Sequence, residues 1–493
     1  MSVRNLLFTY ILISILVILL YIINVDNWIY IGISIACLVL FLFRKEENFQ
    51  IKKVYFRPIH IFLLCYLIVF FQTPIDYSLG YVNSWFELGE TRVIGECLVL
   101  SYLGLVSFLV GYLLKKYKPN RKRQFNMSYN ASTSIFAYLS TLFLILIVVT
   151  TPQAVLYGGY GRDLIHSTSA YSYLSSWCQL FIIAFFVQHS LQLRGKRGKD
   201  MSIFNFVKSI GIHHNTNILF YFLLILNIGD RGPVLIVLTA YYISYIVSSG
   251  KTLKKGYLIV SFAIAIFVVS MLGQTKQFRD NNTIFDRISM LDDSNDKYDI
   301  KSISPFTKEL AGSYKCLAFS VMNVPTRESY KYGQYQLSYI LSALPFSSRI
   351  IPTAGASSTK ITYYIQGEDA TYGNGSSCVA DFYLDGGFVL VIIGMFMFGL
   401  AMRSFEYTIF CEEKPSLLYY SFAFYICCYS VYISRSMVLF YFKYALWLFC
   451  VLYLFNKLFN FRKLRSLGVK GVTGSSCPAS DQRSSEWAVG SWD

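Results

Sequence analysis

Apolar runs recur along nearly the whole chain, separated by short polar segments that are often basic. A bilayer-spanning helix takes roughly 20 apolar residues. Runs of about that length lie at Asn5–Ile23, Trp28–Phe43, Pro58–Pro74, Val93–Leu114, Ser134–Thr151 and Ala170–Leu191. Basic clusters follow the second, fourth and sixth of them: Arg44 to Arg57, Lys115 to Arg123, and Arg194 to Lys199. The excess of lysine and arginine in cytoplasmic loops puts those segments inside. Between the third and fourth runs, Asp76, Glu87 and Glu90 stand against Arg92 alone, as expected of an outer loop.

A second pattern interrupts the apolar region from about Asn217 to Val247. The break reads Leu226-Asn227-Ile228-Gly229-Asp230-Arg231-Gly232-Pro233-Val234-Leu235. Basic segments flank both sides, the second being Lys251, Lys254 and Lys255, so the region goes out and comes back. The outgoing helix is expected to borrow length from Ser209–Thr216, and the returning one to cover Pro233–Ser248. Gly229 and Gly232 free the backbone, and Pro233 suits the first helical position, where its missing N–H is not needed. A helix starting there aims its positive dipole end at whatever lies beside Arg231, which makes the turn a candidate anion site. The plainer alternative is that Arg231 pairs with an acid on another helix or reaches a lipid phosphate.

A ninth run, Gly256–Gly273, opens into the one long polar stretch, Gln274–Asp381. Its acids and bases nearly balance. It holds an apolar patch at Leu337–Phe346 and Gly/Ser-rich turns at Thr353–Thr359 and Gly373–Ser377, and is expected to form a small, partly helical cap outside the membrane. Phe382–Met402 returns inward. Leu417–Ile433 and Met437–Leu458 form a last hairpin whose outer turn is Ser434-Arg435-Ser436. The pattern predicts an all-α polytopic membrane protein of about twelve transmembrane helices, with one large outer loop and both termini cytoplasmic. Residues 1–273 carry spans one to nine, 274–381 the cap, and 382–461 spans ten to twelve. A basic, then disordered, cytoplasmic tail occupies 462–493.

Composition narrows the class. Of 493 residues, 55% are hydrophobic and 15% charged, and the mean hydropathy is +0.46, which excludes a soluble globule. The net charge of +16 is spread in clusters between spans, so it reflects membrane orientation and not nucleic-acid binding. The 41 Phe and 40 Tyr suit interfacial aromatic belts. No phosphate-binding G-x-x-x-x-G-K-[ST] loop, G-x-S-x-G elbow or H-E-x-x-H helix occurs, and no Cys/His grouping has metal-ligand spacing. No ATP chemistry, metal or other cofactor is expected. Cys316 and Cys378 share the outer segment, where they can pair.

On this topology Arg162, Arg231, Arg279, Arg287, Arg327, Arg349 and Arg435 all fall at the outer face. Arginine makes forked, charge-assisted contacts with phosphate, so several converging there would suit a lipid diphosphate; scattered, they are interfacial anchors. His166 is the one histidine placed outside, and so the one histidine candidate for acid–base work there, against the plainer reading of a solvated loop residue.

The Gly229-Asp230-Arg231-Gly232-Pro233-Val234-Leu235 turn and the large outer loop resemble the O-antigen polymerase (Wzy-type) family. Tyr372-Gly373-Asn374-Gly375 leading into Asp381-Phe382-Tyr383-Leu384-Asp385-Gly386-Gly387, then a span containing Gly394 and Gly399, adds to the likeness. The resemblance implies a GT-C-like, lipid-carrier glycosyltransferase of the bacterial inner membrane. Such an enzyme polymerises undecaprenyl-diphosphate-linked repeat units into O-antigen or a related polysaccharide at the periplasmic face. Its partners would be those lipid-linked glycans, the bilayer and a chain-length regulator protein, with no nucleic acid. Catalysis would stabilise the departing diphosphate with Arg231, Arg279 and Arg435 facing one cavity, and use a base drawn from His166, Asp230, Asp280 and Asp286. Arg162, Gly229, Gly232, Arg287 and Arg349 are the expected substrate-binding residues. A lipid-linked oligosaccharide flippase or other transporter, and an O-antigen ligase, are the alternatives.

Overall fold

The computed structural model describes residues 3–44, 54, 56–81, 91–115, 132–156, 165–194, 201–228, 230, 232–250, 302–304, 307–344, 356–368, 370, 373–412 and 415–470. Every regular element among them is helical. Chain order begins with α1 (Val3–Ile23), α2 (Asn27–Leu42), α3 (Pro58–Leu67), a π turn (Ile68–Gln72), α4 (Thr73–Ser78), α5 (Thr91–Leu114) and α6 (Thr133–Thr150). It continues with α7 (Ile165–Arg194), α8 (Ile203–Ile210), α9 (Ile212–Ile228) and α10 (Gly232–Ser249). The polar stretch contributes α11 (Tyr314–Asn323), α12 (Gln334–Leu341) and α13 (Ser357–Gln366). The chain closes with α14 (Cys378–Phe410), α15 (Leu417–Cys428) and α16 (Phe442–Lys470).

Eight helical segments are long and apolar enough to cross a membrane. The bent pair α8–α9 makes a ninth, and α2 and Leu417–Val431 are shorter apolar helices. Nine of the twelve expected spans thus have a counterpart of spanning length, two coincide with the shorter apolar helices, and the other, Gly256–Gly273, lies outside the described residues. Burial sorts centre from rim. The apolar windows of α5 and α7 are 78% and 83% buried, whereas those of α1 and α6 are 17% and 28% buried and present apolar side chains outward. An apolar outer surface of that extent is what lipid contact requires, because tails are as apolar as leucine.

The largest helix–helix interface joins α5 to α14. Glycines let the backbones touch: a Cβ at Gly111 would stand 2.1 Å from the Phe396 carbonyl oxygen, and one at Gly399 would stand 2.1 Å from that of Phe108. At one end of this interface, buried Glu406 of α14 accepts from the Tyr112 hydroxyl at 2.6 Å and the Ile59 N–H at 2.9 Å, with Arg57 Nη1 at 3.7 Å. That knot ties α3, α5 and α14 together.

The structure corrects several sequence expectations. The third helical segment runs through Pro74 to Ser78, because the π turn at Ile68–Gln72 precedes the proline and loosens the ladder where its N–H is missing. Only Ile212–Thr216 of the stretch Ser209–Thr216 extends the outgoing helix: the chain bends by 91° at Gly211, whose φ is +87°, and Ser209 and Ile210 belong to α8. α8 has Ile203, Phe204 and Val207 exposed and Phe206 and Ile210 buried. The returning helix starts at Gly232, one residue before Pro233. α14 begins at Cys378, before Phe382, and is broken at Gly386 and Gly387, the latter at φ +59° with the Tyr330 hydroxyl packed against it. The last hairpin turns through three 3-10 segments, Tyr429–Val431, Ile433–Arg435 and Leu439–Tyr441, beyond a helix that already ends at Cys428. Cys316 and Cys378 are free, buried thiols; Cys316 Sγ instead approaches the Asn374 carbonyl at 3.5 Å.

Candidate functional site

The polar stretch is fastened to the helical bundle by three buried carboxylates, and this fixes what lies between. Asp76 of α4 accepts from Ser302 Oγ at 2.6 Å and from the Ile303 N–H at 2.7 Å. Asp381 of α14 accepts from Ser357 Oγ at 2.6 Å, Gln336 Nε2 at 2.8 Å and the Tyr339 hydroxyl at 3.1 Å, and is fully buried. One turn on, Asp385 takes the Tyr335 and Gln336 N–H groups at 3.1 and 3.0 Å, two of the orphan donors at the start of α12. A buried carboxylate needs such donors to offset its desolvation. α12 and α13 are thereby held onto α14, and α12 also reaches the hairpin turn, where the Tyr339 and Phe440 rings meet at 6.2 Å. On the outer side of this layer, burial pushes the Glu328 carboxyl up, but the Lys360 hydrogen bond and charge outweigh it and hold the group below its usual range.

Within this frame Arg435 stands at the end of a 3-10 turn, its guanidinium carbon 6.0 Å from the Tyr432 ring centroid. Lys315 of α11, 120 residues earlier in the chain, lies within its electrostatic reach. Burial holds the Lys315 ammonium below the usual lysine range; the Cys316 thiol opposes this, and the nearby Arg435 charge adds to it. Burial pushes Cys316 up to about 11, with the Lys315 and Arg435 charges pulling the other way. Two cations thus act on one buried thiol. An anion is the chemical complement of that pair.

The glycine turn of the interrupted region reaches the same hairpin. A Cβ at Gly232 would lie 3.1 Å from the Tyr432 ring, and Asp230 Oδ1 accepts from the Gly232 N–H at 3.3 Å. Asp230 itself is exposed and acts electrostatically on Tyr429. Tyr429 in turn donates to Gln179 Oε1 of α7 at 3.2 Å and accepts from the Tyr425 hydroxyl at 3.0 Å. α10 and the hairpin turn therefore share one wall.

Of the residues expected to form the site, Asp230, Gly232 and Arg435 are described, and Gly232 and Arg435 converge on Tyr432. Arg162, Gly229, Arg231, Arg279, Arg287 and Arg349 lie outside the described residues, as do Asp280 and Asp286. His166 occupies the first turn of α7. Arg327 is exposed and donates to Asn323 Oδ1 at 3.3 Å, within its own segment and away from this group. Sequence reasoning missed Lys315. The available signal was a single charge inside the apolar run Tyr314–Val324, between the buried Tyr314 and Cys316. Among the described residues no His/Cys/Asp/Glu group can hold a metal ion.

These features define a polytopic, all-helical membrane protein whose long polar segment contributes helices packed on α14 and the last hairpin turn. The family model for the O-antigen polysaccharide polymerase Wzy matches residues 5–463, and the chain belongs to that family. No curated protein and no solved structure matches it.

Proposed function

We propose that the chain is a glycosyltransferase that polymerises undecaprenyl-diphosphate-linked oligosaccharide repeat units at the periplasmic face of the inner membrane. The observation that carries this reading is the convergence of the Gly232 turn and Arg435 on Tyr432. In the reaction, the bond between the donor's anomeric carbon and the diphosphate oxygen breaks. The electron pair leaves with undecaprenyl diphosphate, a hydroxyl oxygen of the newly delivered repeat unit bonds to the anomeric carbon, and its proton passes to a base. The donor is already activated, so what the protein must supply is charge stabilisation on the leaving diphosphate and a proton acceptor. Arg435 and Lys315, with Arg231 and Arg279, fill the first role in this reading; Asp230 and His166 are the candidates for the second. Arg162, Gly229, Arg287 and Arg349 complete the substrate contacts, and no metal or other cofactor takes part.

The topology belongs to the same proposal: twelve spans in a GT-C-like arrangement, both termini cytoplasmic, and residues 274–381 as a periplasmic cap between membrane segments 1–273 and 382–461. A chain-length regulator is the natural protein partner of such a polymerase. Deleting the gene and resolving the surface polysaccharide on a gel tests the reading. Loss of long chains with a single repeat unit still attached is the expected outcome; loss of every repeat unit would replace it with a flippase or a ligase. Complementation with Arg231→Lys, Arg231→Ala or Arg435→Ala should leave single-unit product at normal protein level. Full-length ladders from all three would reduce these arginines to anchors.

A further inference from the structure

The Gly373-Asn374-Gly375 turn holds a side chain that the reaction scheme above does not use. Both ends of the Asn374 amide, Oδ1 and Nδ2, are buried and have no hydrogen-bond partner. A buried polar group left unpaired destabilises a fold, so each such group calls for a ligand, a water or a functional reason. The backbone of the residue is in contrast fully engaged. Its N–H donates to Thr362 Oγ1 at 2.9 Å, and its carbonyl accepts from Cys316 Sγ at 3.5 Å. Gly375 follows at φ +77°, a conformation that favours glycine and closes the turn. Asn374 is therefore locked in place by both neighbouring cap helices while its amide is left open.

The lock places Asn374 against Cys316, the thiol that feels both Lys315 and Arg435. Ser434, the residue before Arg435, likewise has a buried hydroxyl with no partner. An unpaired amide beside Cys316 and an unpaired hydroxyl next to Arg435 in the chain, with the Lys315 and Arg435 charges, match a phosphorylated sugar: the cations meet phosphate, and an amide supplies one acceptor and two donors to ring hydroxyls or an acylamino group. Resting on the polymerase reading, we propose that Asn374 recognises the sugar bonded directly to the diphosphate of the lipid-linked repeat unit, and so contributes to the choice of repeat unit. Held rigidly and unsatisfied without ligand, it discriminates strongly, because a substrate lacking the matching group leaves the amide unpaired again.

The test compares Asn374→Leu, Asn374→Ala, Lys315→Ala and Arg435→Ala in the full chain, reconstituted in lipid nanodiscs with the host's own undecaprenyl-diphosphate-linked repeat unit. Melting of each variant is read alongside. Asn374→Leu keeps the volume and removes the unpaired amide, so its melting temperature should hold or rise while KM for the lipid-linked unit rises at least about tenfold. Asn374→Ala should show the same KM change, and decides the matter if the leucine does not fit. Unchanged KM in a folded Asn374 variant, with polymerisation lost in Lys315→Ala and Arg435→Ala, overturns the sugar contact alone. Unchanged polymerisation in Lys315→Ala and Arg435→Ala overturns the polymerase site itself.

Discussion

Substituting Gly399 by alanine should separate the two helices that frame the site. The added Cβ would sit 2.1 Å from the Phe108 carbonyl oxygen and 2.9 Å from the Tyr112 nitrogen, both backbone atoms that cannot rotate away. Ordinary contact needs roughly 3.4 Å, so α5 and α14 must part locally by about 1 Å, a gap that already forfeits a quarter to a half of each dispersion contact across it. Overpacking of this kind costs about 1–3 kcal/mol, and a backbone-to-backbone clash belongs at the upper end. Gly111→Ala meets the mirror-image obstacle at the Phe396 oxygen, so it should cost a similar amount. Once one methyl has opened the interface, the second has less to displace, and the double variant should lose clearly less than the sum of the two. Melting of the purified protein in one detergent gives the three values. A Gly399→Ala protein that melts with the wild type would refute the close packing. Strict additivity would refute a shared interface.

Three further outcomes test separate parts of the molecule. Asp381→Asn puts an amide donor among groups that already donate to it. It should destabilise by on the order of 2–4 kcal/mol and open residues 307–370 to protease before the rest; equal protection in both proteins would remove Asp381 as the fastener. Lys315 titrates below a free lysine, so the unfolded chain binds more protons and stability should rise with pH between the folded and unfolded values. Lys315→Met should abolish that rise and melt higher than the wild type at neutral pH without substrate, and a lower melting temperature would contradict the desolvated charge. A periplasm-active reporter fused after Lys297 or Gly333 should be active, and one after Lys122 or Lys196 silent; the reverse pattern would put Arg435 on the wrong side.

Much of the helical layout was legible because an apolar run of bilayer length has few alternatives. Where the sequence misled, a local feature had been given its commonest meaning. Pro74 read as a helix end, but a π turn one residue upstream absorbs the missing bond. Ser209–Thr216 read as added length, which holds from Ile212 on, but Gly211 adopts a positive φ and turns α8 away from α9 by 91°. Gly386-Gly387 was visible as a motif, yet nothing in its neighbours shows that it breaks α14 against Tyr330. The site was legible only by type of residue. Arg435 stood out as a charge in a tight turn, whereas Lys315 could not be paired with it, since their meeting depends on how α11 is carried by α14 and α13. Asp381 and Asp385 read as part of a motif, and their work in fastening α12 and α13 exists only in three dimensions.

The position of Arg435 bears on whether it anchors or binds. An interfacial anchor sits at a helix end level with the headgroups, its stem along apolar surface and its charge in water. The helix leading to Arg435 is too short for that. α15 has 12 residues, about 18 Å at 1.5 Å per residue, against a hydrocarbon core about 30 Å thick. The 3-10 turns that follow double back, packing on α3 and α14, where an anchor's approach would continue outward. The guanidinium carbon of Arg435 stands 6.0 Å from the centroid of the Tyr432 ring, inside that turn. The short α15 is thus followed by a packed turn and not by a continuing span, and that turn brings Arg435 to Tyr432, the ring beside which Gly232 also rests.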